Sequence, residues 1–130
     1  MATIKSYTDI EQSKKLAEIL PLESADMWWL YITAQGKHIA MMYEEPDPHY
    51  LARMESYGIK NAAIHCWSLA ALLNILPESE LIQTSEGKWL VRCWTKNRNP
   101  WSVGGYDNPI NGCYEMILNL NELKTVVLCG

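Results

Sequence analysis

The chain contains no phenylalanine, although it carries six tryptophans and seven tyrosines. All of its aromatic surface therefore sits on side chains with a polar handle. Such residues outnumber Phe at half-wet surfaces and interfaces. They either fill a small core or form a contact face. No CxxC pair occurs among Cys66, Cys93, Cys113 and Cys129. His38, His49 and His65 do not cluster with them, apart from the adjacent His65-Cys66. Zinc ligands come in clustered spacings, so neither a metal nor a cofactor is expected. Met1 to Lys15 has no apolar run of the kind that marks a signal peptide. The longest uncharged stretch, Asn61 to Pro77, is too short for a membrane span and is interrupted by His65, Ser68 and Asn74. A cytoplasmic protein with reduced cysteines is expected. Gly104, Gly105 and Gly112 fit no nucleotide-binding pattern. Glu44-Glu45-Pro46-Asp47 lacks the glycine and spacing of a calcium loop. Repeats of fixed period, low-complexity segments and linkers are also missing.

What is present describes one α+β domain over residues 1–130. That length supports one real core without staples. The apolar share of 48% and charged share of 20% are those of a globular chain. The net charge of −4 argues against a general nucleic-acid or anionic-lipid surface.

The chain is organised around Cys66-Trp67-Ser68-Leu69-Ala70-Ala71-Leu72-Leu73-Asn74-Ile75-Leu76-Pro77. Ala and Leu give it high helix propensity, and Pro77 stops it. Apolar residues run almost all round, which predicts a buried central helix beginning near Trp67. Upstream, Thr8-Asp9-Ile10-Glu11 reads as a capping box with Thr8 as cap, opening a helix from about Asp9 to Leu20. Met27 to Thr33 and His38 to Tyr43 form a hairpin around Gly36. Alternation places Trp28, Leu30 and Ile32 on one face, and Met27, Trp29, Tyr31 and Thr33 on the other. Asp47 caps a short helix from Pro48 to Ser56, and Ile59 to Ile64 reads as a connector. Leu81 to Thr84 and Lys88 to Thr95 form a second hairpin. Asn97 to Tyr106 reads as a loop, and Pro109 to Lys124 as a long amphipathic helix. Val126-Val127-Leu128 is an apolar tail. The expected fold is an antiparallel sheet of about four strands, made of two hairpins, packed by the central buried helix and the C-terminal helix.

Three features compete for function. The Trp/Tyr surplus suggests a contact face containing Trp29 and Tyr31, with a second copy of the chain or another protein as partner. Lys88, Arg92, Lys96 and Arg98 interleave with Trp89, Trp94 and Trp101, and no acidic residue falls between Gly87 and Tyr106. Lys88, Arg92, Trp94 and Trp101 are the residues that would follow a phosphate backbone and stack on bases. The same pattern also describes a solvated sheet face whose lysines discourage edge aggregation, and the acidic total favours that reading. Finally, Cys66 at or just before a helix N-terminus would have a dipole-lowered thiol pKa. A nucleophile also needs a base in reach, which His38 or His49 would have to supply. A buried connector residue is the plainer reading, so no catalytic residues are assigned.

At Glu23-Ser24-Ala25-Asp26-Met27, at Cys66 to Leu73 with Leu76-Pro77, and at Asp107-Asn108-Pro109 followed by Cys113, Met116-Ile117 and Leu120, the sequence resembles a group of short proteins from gut Bacteroides genomes and their phages or mobile elements. The resemblance covers most of the chain from Asp9 to Leu123. It implies an intracellular accessory protein of a mobile element that acts by binding, and it carries over no catalytic residues.

Overall fold

The computed structural model describes residues 6–42, 44–94 and 100–123. The expectations placed on Tyr43, Lys96, Arg98 and the 126–128 tail fall outside these residues, as does Cys129. The chain is α+β. Helix α1 (Ile10–Ala17) is followed by a 3-10 turn (Leu22–Ser24), β1 (Met27–Ile32), β2 (Lys37–Met42), α2 (Pro48–Ser56), β3 (Ala63–Cys66) and α3 (Leu69–Ile75). Then come β4 (Ser79–Gln83), β5 (Trp89–Trp94), β6 (Pro100–Tyr106) and α4 (Pro109–Leu123).

The strands form two antiparallel three-stranded sheets, ordered β2-β1-β3 and β4-β5-β6, not one sheet of about four. Each hairpin gains a strand that the sequence had disguised. Part of the expected connector is β3, whose alternating burial marks a strand only four residues long. Part of the expected loop is β6, an edge strand that begins on Pro100, where a missing N–H does no harm. Its ladder slips at Gly105, which sits at φ +85° and is the extra residue of a bulge against Trp89 and Leu90.

One core joins α1, α3, α4 and β5. Leu16, Leu20, Trp67, Leu72, Ile75, Val91, Cys93, Ile110, Cys113, Met116, Ile117 and Leu120 are buried in it. Gly112 lets α4 lie close on β5: a Cβ there would come within 2.9 Å of Val91 Cγ2. The central helix is shorter than its apolar sequence suggests. Ser68 caps it by accepting from the Ala71 amide at 3.2 Å, and Leu76 leaves the helix in extended conformation just before Pro77. Asn74 faces solvent, while Ser68 finds its partners.

The first helix is capped one residue later than expected. Asp9 accepts from the Gln12 amide at 2.8 Å, and Gln12 Oε1 accepts from the Asp9 amide at 3.1 Å. That shift frees Thr8, which is fully buried. Its Oγ1 accepts from the Trp67 amide at 3.2 Å and shares a 2.7 Å hydrogen bond with Ser13 Oγ. Its backbone amide donates to Trp67 O at 3.0 Å, and its carbonyl accepts from Trp29 Nε1 at 3.0 Å. The segment before α1 is thereby stitched to the sequence between β3 and α3.

Candidate functional site

The β2-β1-β3 sheet has two unlike faces. Met27, Ile64 and Cys66 are buried on the side that meets α1. Trp28, opposite His65 in the β1–β3 register, lies on the other face, as do Leu30 and Ala63. The Trp28 and His65 rings stack with centroids 4.1 Å apart and planes tilted by 39°. Helix α2 lies alongside this second face. Asp47 caps it by accepting from the His49 amide at 2.8 Å, and Pro48 occupies its first turn. Tyr50 Oη donates to Tyr31 O at 2.6 Å and ties the helix to β1.

Between α2 and the sheet runs a groove of about 870 Å³. Trp28, Pro46, Pro48, Leu51, Met54, Ile59, Ala62 and Ala63 supply its apolar walls, and Glu45, Glu55, Lys60, Asn61 and His65 its polar lining. A second hollow of about 430 Å³ adjoins it, sharing Trp28, Glu45 and His65 and reaching Leu22, Glu23, Ala25 and Asp26. Four large apolar residues are exposed among the described residues: Leu22 (43%), Leu51 (40%), Tyr57 and Trp101 (39%). Two of them, Leu51 and Leu22, line these hollows, one in each. Burial lowers the His65 pKa below its ordinary 6.5 and so favours the neutral ring beside Trp28.

The groove offers shape and charge more than a nucleophile. Cys66 ends β3, two residues ahead of the Ser68 cap of α3, and its thiol pKa is raised and not lowered, so the dipole argument for a reactive thiol fails. Burial is what raises it, only partly offset by hydrogen bonds from Thr8 and Ser13. His65 and Cys66 also project to opposite faces of β3. Ser68 is committed: its Oγ donates to Asp26 Oδ2 at 2.5 Å while accepting from Ala71, and its amide donates to Asp26 Oδ1 at 2.9 Å. Among the described residues no group of three or more His, Cys, Asp or Glu side chains is placed to hold a metal ion. No described helix is long and apolar enough to cross a membrane.

The residues expected from sequence are dispersed over two sheets. Trp29 is half-buried, with its ring edge-on to Tyr7 at 5.6 Å and its indole N–H on Thr8 O. It holds the N-terminal segment and lies off the groove. Tyr31 packs edge-on against His38 at 5.4 Å and lines a separate notch of about 250 Å³ with Tyr50, Arg53 and Tyr57. On the second sheet Lys88 pairs with Asp107, and Arg92 Nη1 with Glu80 Oε1 at 2.9 Å. Trp94 is half-buried beside Pro100 in the β5–β6 register, and Trp101 is partly exposed opposite Cys93. Lys88 and Arg92 thus have carboxylate partners that the local sequence does not show. Sequence reasoning chose Trp29 and missed Trp28, one residue away. The usable signal was Leu51, an apolar residue on the short helix, three positions before the buried Met54. No protein-family model, curated protein or solved structure matches the chain.

Proposed function

We propose that this chain is a non-enzymatic accessory protein that works by protein–protein contact, with the groove between α2 and the β2-β1-β3 sheet as its contact site. The observation that carries this reading is Leu51 and Leu22 held at the surface in adjoining hollows floored by Trp28. Exposed apolar residues gathered in one concave surface mark interaction sites more than scattered ones do. The buried, proton-holding Cys66 supports a binding role over a thiol enzyme. The likeness to proteins of Bacteroides phages and mobile elements supports a cytoplasmic setting within such an element. Contact with nucleic acid through residues 88–101 is the weaker reading, because the Lys88 and Arg92 charges already have partners.

The test compares wild type with Leu51→Asp, a change at a site exposed enough to leave folding intact. Affinity capture from the host cell should retain a partner protein on the wild type and lose it on the variant. Equal recovery on both, or none on either, would remove the groove from the proposal. Melting curves of the two pure proteins establish that both are folded.

A further inference from the structure

Resting on the groove as a contact site, we infer that its occupant is a basic peptide segment of another protein: two apolar anchors flanked by lysine or arginine. Three observations point there. First, the two hollows share a waist at Trp28, Glu45 and His65, and each has its own exposed leucine. Adjoining hollows joined by a waist, the larger mostly apolar and the smaller mixed in character around Leu22, suit a chain segment that sends side chains into both, whereas a compact ligand would fill one. Second, the charge is lopsided. Among the described residues, Glu23, Asp26, Glu45 and Glu55 line the hollows against Lys60 alone. The whole chain has fifteen acidic and eleven basic residues, so the groove is far more acidic than its background. Third, Glu23, Glu45 and Glu55 are exposed and have no cationic partner among the described residues, unlike Glu80 and Asp107 on the other sheet. A row of unanswered carboxylates around an apolar floor selects for cations on the partner and repels acidic segments.

A displayed library of random dodecamers, selected on wild type and counter-selected on Leu51→Asp, tests this directly. The expected clones depend on Leu51 and combine aromatic or aliphatic anchors with at least two Lys or Arg. A synthetic peptide from such a clone should bind about 3- to 10-fold more weakly to the triple variant Glu23→Gln/Glu45→Gln/Glu55→Gln, since each exposed charge pair contributes little alone. Its binding should also weaken as salt is raised. Leu51-dependent clones with no excess of basic residues would overturn the inference and leave the groove as a contact site. Absence of any Leu51-dependent clone would overturn both. Sedimentation of the pure chain covers the remaining occupant: a dimer that Leu51→Asp dissolves would show the groove taken by a second copy and also overturn the inference.

Discussion

Replacing Thr8 with valine removes one oxygen from the interior and almost nothing else. The two side chains have the same shape, so packing is preserved. The lost Oγ1 currently accepts from the buried Trp67 amide at 3.2 Å and meets Ser13 Oγ at 2.7 Å. Leaving a buried donor without a partner costs about 1–3 kcal/mol. The Trp67 amide pays that in full, because it is held between β3 and α3 and cannot turn to water. Ser13 loses less, since a helical serine can bond back to its own turn. The total comes to about 2–4 kcal/mol, a large share of the roughly 5–15 kcal/mol that holds a typical domain. Urea unfolding followed by tryptophan fluorescence should show a lower midpoint with an unchanged slope. Thr8→Ser is the control. It keeps the hydroxyl and gives up one methyl, for about 1 kcal/mol. Thr8→Val combined with Ser13→Ala should cost less than the two changes summed, because they break one shared bond. If valine proved no worse than serine at this position, the hydrogen-bonded role given to Thr8 would be wrong.

Gly112→Ala should destabilise by about 1 kcal/mol, the overpacking against Val91 exceeding the roughly 1 kcal/mol gained in helix propensity; with Val91→Ala in place, the same change should become neutral or stabilising in urea melts. His65 has a folded-state pKa depressed by burial, so its contribution to stability is complete above its ordinary 6.5 and is lost as pH falls through the lower folded value. NMR titration should place the His65 midpoint below 6.5, and His65→Gln should flatten the corresponding loss of stability on acidification. Burial raises the Cys93 and Cys113 thiols to about 11 and about 12, and raises Cys66 too. In a Cys129→Ser background, thiol reagents should therefore label nothing quickly at neutral pH, and labelling should rise only as the chain unfolds in urea.

Much of the skeleton was legible because local chemistry decided it. The Asp47-Pro48 start of α2 and the Gly36 turn of the first hairpin stand where their residues demand. The cap of α1 moved because Thr8 had a better use 59 residues away, which no local motif can show. Strands β3 and β6 were hidden for opposite reasons: one is a short piece of an apolar run, the other is rich in Gly and Pro and tolerable only at an edge. The candidate site was the least legible part. Alternation separated Trp28 from Trp29 correctly, but only tertiary structure says which face meets α1 and which meets α2. The same holds for Lys88 and Arg92, whose carboxylate partners come from Asp107 and β4.

The clasp at the base of the first sheet has a consequence for how this protein can vary. The chain leaves for the groove-bearing unit after Asp26 and comes back at Trp67. Ser68 is bonded to Asp26 on its return, and Trp67 Nε1 donates to Ser24 Oγ at 3.0 Å. Departure and re-entry are thus one place, the arrangement in which whole segments are tolerated as insertions. Within this excursion the face toward α2 carries the groove, while Met27, Ile64 and Cys66 on the other face stay packed on the side of α1. Ser24, Asp26, Trp67 and Ser68 are the four residues that hold the two ends of this excursion together.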